Sequence, residues 1–588
     1  MVQAITTLLI IYFLFFRGSG KKILEKLDAP KQKFNWSGEA EATWFKKYRR
    51  RKDLIRKEIK HREFGSPRFK VYIALVLVNY IGVWTWYDIA RQKPQLGPTN
   101  FISWGPLALN TVFLLIPIIF KFSLFDKIAT TGKMLSNTIR FNNNAFGIWL
   151  GRTTGVFADL KHHSNIRSKQ DVVLGLQDAA QNILVLGGIG GGKTTRAVQP
   201  ILLQLLDQEC GGLIFDIKAD FKQAVGGLAN QTGRGIVVIG PEANGLNLLR
   251  GLTPEIAASF LKSAYLLAGP AGEAPFWVDT ATELSRNALG VLHFVPEHYS
   301  LNGLYKYIFN EEFKAEIDDK LIASMSNMST DQAGLLRAYM DYQEYVFDTF
   351  EERTKSNVKA TLAKVLSQFN HPDLVRAFCS ENEGNVSIQE VLNGSVFLVD
   401  LPLARWGLAG KTVYTLIKLR FFNLMQSRNI NPEWNQDRPI FFMCDEYQEV
   451  VACNLDGLSD LNFWDKSRSS KCIGIISGQS ISSFYAAIGR RDLAEALLQN
   501  FRQKLCFRTE DRETLRMFQE LPGKVYRDKV STSRGDFQLG QSETLSQAQE
   551  NVLNPQLFRN LTQDQMVAFL SIEGQSWDDV LVARPVFV

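Results

Sequence analysis

The stretch Asn182–Leu206, NILVLGGIGGGKTTRAVQPILLQLL, decides how the rest of the chain is read. Four apolar residues of strand type, Ile183–Leu186, run into a glycine-dense turn. Lys193, Thr194 and Thr195 follow, and then apolar residues at helical spacing. The turn Gly187-Gly188-Ile189-Gly190-Gly191-Gly192-Lys193-Thr194 satisfies G-x-x-x-x-G-K-[ST], and it lies between a strand and a helix, where that motif belongs. Glycines let backbone N–H groups close around phosphate oxygens, and the start of the helix adds positive potential. Lys193 is placed to reach the phosphates, with Thr194 and Thr195 completing the cradle and the Thr194 hydroxyl facing Mg²⁺.

Working outward, a second buried strand is expected in GLIFDIKADF, Gly212–Phe221. It puts Asp216, Lys218 and Asp220 at its carboxyl end, the side on which open α/β sheets bind ligands. A third, GIVVIGP, ends at Pro241, after which strand patterns stop for about 150 residues of helical spacing. They resume at SVFLVDLP, Ser395–Pro402. The economical reading is an α/β motor in two pieces, 151–252 and 395–588, with an all-α domain over 253–394 inserted between them. In the second piece RPIFFMCDEYQEV is an apolar strand tipped by Asp445-Glu446. Asp445 is placed to hold Mg²⁺ and Glu446 to orient and deprotonate the attacking water. KCIGIISGQ follows, with Gln479 just past its end, either sensing the γ-phosphate or capping a helix over 480–489. QKLCFRT, MVAFLSI and DVLVARPV finish the sheet.

The chain has 588 residues, enough for two or three domains, and a net charge of +7. That charge is local. Residues 17–70 carry 18 Lys or Arg against 7 Asp or Glu, a surplus of 11, so the remainder is at −4. Apolar segments at 4–16, 71–87 and 104–120 flank the basic arm. The latter two are long and uncharged enough to span a bilayer, and the first is marginal. Trp84, Trp86 and Tyr87 sit where an interfacial belt would. The basic arm therefore reads as cytoplasmic and in contact with anionic lipid, and residues 1–150 as a membrane anchor. Six scattered cysteines without a CxxC pair, and an isolated His162-His163, support neither a disulfide framework nor a zinc site.

Together these features resemble the type IV coupling proteins, the TraD/TraG-type conjugative ATPases, from about Gly187 to Val588. FDIKADF is similar to the family's Asp-x-Lys-Gly-Glu segment, with Ala219 for Gly and Asp220 for Glu. APFWVDTATEL, with Phe276-Trp277, resembles the opening of its all-alpha domain, FFMCDEYQEV its Walker B, and SRSSKCIGIISGQSISSFYAAIG its Arg, strand and Gln-Ser run. The resemblance implies a RecA-like motor, six subunits around a channel, and anchorage as a multi-pass protein in the bacterial inner membrane with most of the chain cytoplasmic. It also implies hydrolysis of ATP with Mg²⁺, driving single-stranded DNA and its bound relaxase into type IV secretion channel proteins. Arg468, eleven residues before Gln479, stands where the family keeps an arginine acting across the subunit boundary, with Arg490 and Arg491 as the next candidates. Two features are expected to depart from the family: a small outside loop, and substrate docking left to the all-alpha domain or to other proteins rather than to a C-terminal tail. Delivery of protein effectors, an FtsK/HerA-type DNA translocase and a non-hydrolysing docking receptor remain the competing readings. The intact Lys193, Thr194, Asp445 and Glu446 speak against the last.

Overall fold

The computed structural model of the chain describes residues 146–586 apart from 161–168, 270–274, 381–384, 455–456 and 535–540. The candidate spans 4–16, 71–87 and 104–120 and the basic arm lie outside the described residues. Among the described residues no helix is long and apolar enough to cross a membrane.

In chain order, β1 (Ile148–Thr153) and β2 (Asp171–Leu174) precede β3 (Ile183–Leu186), and the residues after the glycine turn wind into a π-helical turn and α1 (Gln199–Asp207). Then come β4 (Gly211–Asp216), α2 (Lys222–Thr232) and β5 (Val237–Ile239). Seven helices follow: α3 (Pro254–Ala268), α4 (Pro275–Leu292), α5 (Leu301–Phe309), α6 (Glu311–Ser324), α7 (Thr330–Tyr342), α8 (Glu352–Leu366) and α9 (Pro372–Phe378). The chain returns to strand at β6 (Val396–Asp400), followed by α10 (Leu403–Arg428), β7 (Ile440–Cys444), β8 (Cys472–Gly478), α11 (Ile481–Ile488), α12 (Arg491–Gln499), β9 (Gln503–Cys506) and α13 (Arg512–Glu520). A hairpin of β10 (Lys524–Arg534) and β11 (Gln541–Asn551) precedes β12 (Gln565–Ile572) and β13 (Gln575–Val582).

Eleven strands make one sheet in the order β2-β1-β13-β12-β9-β3-β8-β7-β4-β6-β5. The seven from β9 to β5 are parallel, and the four on the other side join through antiparallel pairs. Burial on both faces explains why these strands read as continuous apolar runs rather than alternating ones. In β3, Leu184 and Leu186 belong to one core, and Ile183 and Val185 to a second on the opposite face. The second core is closed by Ile201, Leu202 and Leu205 of α1 with Val225 and Leu228 of α2. The first core extends through α10 into the helical insertion.

Side-chain caps explain where several inserted helices begin. Thr253, Ser300 and Asn310 each accept a backbone N–H at the head of α3, α5 and α6, and Ser329 with Gln332 forms a reciprocal box at α7. Each such cap stabilises its helix by about 1 kcal/mol. The cap of α11 is likewise a serine: Ser480 accepts from Ser483 N–H, so the capping alternative for Gln479 gives way to its neighbour.

Candidate nucleotide site

The strand order explains how residues 250 positions apart come together. β8 lies between β3 and β7, with Leu186 level with Gly478 and Cys444 level with Ile476, so the carboxyl ends of all three open on one edge. The phosphate loop leaves β3 there, and Asp445-Glu446 leave β7 there.

The loop needs its glycines. Gly190 and Gly192 have φ of 71° and 98°, in the left-handed region where a side chain is strained. A Cβ on Gly192 would also stand 2.8 Å from the Gln563 carbonyl oxygen. Ile189 at the loop tip is 91% exposed, whereas Lys193 is only 8% exposed. The Lys193 ammonium donates to the Gly187 carbonyl at 2.6 Å. Burial pulls its pKa below the ordinary lysine value, with Asp445 and Glu446 opposing part of that shift.

Thr194 Oγ1 donates to Asp445 Oδ2 at 3.4 Å, so hydroxyl and carboxylate converge on one point beside the loop. Two hard oxygen donors at that spot are a donor set suited to Mg²⁺. The other Asp445 oxygen accepts from the Ser477 hydroxyl of β8 and, at 3.0 Å, from the Glu446 N–H. Glu446 is 5% exposed and sits in left-handed backbone at φ 55°. Its carboxylate takes Lys218 Nζ on one oxygen and Gln448 Nε2 on the other, each at 2.6 Å. Burial pushes the Glu446 carboxyl up. The hydrogen bonds from Lys218 and Gln448 and the charges of Lys218 and Lys193 outweigh that and leave it below the usual glutamate range.

Two of the expected site residues stand apart from this cluster or at its margin. Gln479 is half-buried immediately beyond β8, on the loop's side of the sheet. Arg468 is exposed before the start of β8, where its Nε donates to the Gln177 side chain at 3.4 Å. Seven strand residues at about 3.3 Å each place roughly 20 Å between it and the loop edge of its own chain. Arg490 and Arg491 are exposed at the head of α12, and both are ion-paired, with Asp492 and with Glu495 and Glu513 respectively.

The model of the family described as "Type IV secretory system Conjugative DNA transfer" matches residues 157–575. The chain belongs to this family. Coupling protein TrwB has the same fold. Its unbound TrwBdeltaN70 form superposes with a TM-score of 0.51 at 15% identity, covering 76% of this chain and 95% of that one. TrwB with the GTP analogue GDPNP gives 0.52 at 15% identity over 75% and 95%, and TrwB with ADP and Mg²⁺ gives 0.50 at 16% identity over 70% and 86%. No curated protein matches the chain.

Several residues at the site of this coupling protein carry no motif and were not legible from sequence. Ser477 was visible only as a lone hydroxyl in the apolar run of β8, where its bond orients Asp445. The segments just before β12 and just after β13 also reach the phosphate loop and the turn that follows it: Arg196 pairs with Asp564, and the Val586 N–H donates to the Thr195 carbonyl at 2.8 Å. On the other side the Arg508 carbonyl accepts the Gly188 N–H at 2.9 Å. Such backbone contacts leave no residue-type signature.

Proposed function

We propose that this coupling protein is an inner-membrane ATPase whose turnover drives relaxase-bound single-stranded DNA into a type IV secretion channel. The observation that carries the reading is the convergence of Lys193, Thr194, Asp445 and Glu446 on one edge of the sheet from stretches 250 residues apart. In this reading the loop from Gly187 to Thr195 wraps the phosphates of ATP with backbone N–H groups, and Lys193 counters their charge. Thr194 and Asp445 would hold Mg²⁺, which when bound neutralises charge on the transferring phosphoryl group. Ser477 keeps Asp445 aimed at that point. Glu446 orients a water and takes its proton, and Gln479 feels the outcome at the end of β8 and hands it to α11.

Arg468 cannot reach the pocket of its own chain, and that placement fits a finger reaching a neighbour's pocket in a ring of six. The segments at 71–87 and 104–120, with 4–16 as a marginal third, anchor the chain, and the basic arm lies on the lipid of the cytoplasmic face. The test is conjugation from donors carrying Lys193→Ala. Transfer falls to background while the protein stays in the membrane fraction; normal transfer refutes the proposal.

A further inference from the structure

Glu446 is the one carboxylate of the site whose two oxygens are both held by side chains outside the phosphate loop. Lys218, from the turn after β4, holds one oxygen, and Gln448 holds the other. The tie runs from the rim inward, since the Lys218 side chain is 49% exposed and that of Glu446 is 6% exposed. Lys193, the other cation near Glu446, gives its shortest hydrogen bond to the Gly187 carbonyl.

The turn that carries Lys218 is itself fixed. The buried Asp216 accepts the N–H groups of Phe221 and Lys222 at 3.2 and 2.7 Å. Tyr414 of α10 donates its hydroxyl to the Asp216 carbonyl at 2.7 Å, and the Leu403 N–H donates to the Ile217 carbonyl at 3.2 Å. Next to Lys218, Ala219 has φ 63°, and Glu446 across the ion pair has φ 55°. A non-glycine residue in left-handed backbone costs about 1 kcal/mol or more, and it persists only where its surroundings over-determine it. Here both partners of one short ion pair sit on or beside such a residue.

We propose that Lys218 is a positioning residue that tethers the Glu446 carboxylate, so that water activation depends on a lysine outside the phosphate loop. This rests on reading Glu446 as the base. Two cations act on Glu446: Lys218 from the turn after β4 and Lys193 from the phosphate loop. Of these, Lys218 donates to a Glu446 oxygen at 2.6 Å and so fixes where the carboxylate points. Without Lys218 one carboxylate oxygen loses its hold, and only Gln448 still orients the group.

The experiment is steady-state ATP turnover by the assembled full-length chain, with kcat and KM separated, for the parent, Lys218→Gln, Lys218→Met, Lys218→Arg and Glu446→Gln, with binding of a fluorescent ATP analogue read in parallel. Both neutral variants lower kcat by about tenfold or more, with KM and nucleotide binding within about twofold of the parent, and Lys218→Arg restores most of the parental kcat. Parental kcat in both neutral variants, or an arginine variant no better than the neutral ones, overturns the proposal. Undiminished turnover by Glu446→Gln overturns the base assignment instead, whatever the lysine variants do.

Discussion

At the scale of single residues, charge is placed where burial makes it expensive. Lys504 on β9 is buried, its ammonium donates to the Phe501 carbonyl at 2.6 Å, and burial together with the nearby Arg502 lowers its pKa to about 8. In the unfolded chain it titrates near the ordinary lysine value, so between pH 8 and 10 the unfolded state binds more protons than the folded one. Stability from this group therefore rises with pH across that window, and the cost of the buried charge, up to about 3 kcal/mol, is fully present below pH 8. Lys504→Met is expected to be more stable than the parent at pH 7 and to lose that advantage by pH 10, as followed by thermal unfolding at both values. The motif residues Lys193, Thr194, Asp445 and Glu446 were legible because their chemistry requires particular side chains at particular spacings. Ser477 and Gln448 were not, because a lone polar residue beside a strand has many uses until the neighbouring strand is known.

At the scale of elements, the segment after β7 is held by a polar knot. Lys418 of α10 and Asp460 pair at 2.7 Å with both side chains fully buried. Asp460 also accepts from the Tyr447 hydroxyl and, at 2.7 Å, from the Ala452 N–H, and Trp464 Nε1 donates to the Tyr447 hydroxyl at 3.0 Å. Tyr447 immediately follows Glu446, so the knot ties α10 to the segment that leaves the end of β7. Lys418→Met leaves a buried carboxylate without its cation and is expected to cost about 3–5 kcal/mol. Adding Asp460→Asn recovers part of that loss, giving a coupling of about 1–3 kcal/mol in a double-mutant cycle by denaturant unfolding. Additive losses would show that the two residues act independently.

The apolar strands β3, β6, β7 and β8 could be read from sequence because burial on both faces makes each a nearly continuous hydrophobic run. Others were hidden. β2 has four residues, DVVL, too few to show a period. The hairpin strands KVYRDKVSTSR and QSETLSQAQEN are mostly polar, and their few apolar residues do not alternate regularly, so the pattern that marks a half-buried strand is missing.

At the scale of the whole molecule, the sheet puts the phosphate loop and Arg468 at opposite ends of β8. One chain cannot bring both to the same nucleotide, so hydrolysis is expected to require a neighbour. Arg468→Ala and Lys193→Ala chains are each expected to be inactive alone. Mixed in one assembly they pair an intact pocket with an intact arginine, and a measurable fraction of ATP turnover returns. Should Arg468 act within its own chain, mixing restores nothing.

The central claim is that this pocket turns over ATP in the service of DNA movement. Its most direct measurement is steady-state ATP hydrolysis by the assembled full-length chain, parent against Glu446→Gln, with and without single-stranded DNA. Turnover by the parent is expected to rise with DNA, and Glu446→Gln to lose at least about a hundredfold with ATP still bound. Equal turnover by the two chains, unmoved by DNA, would contradict that claim.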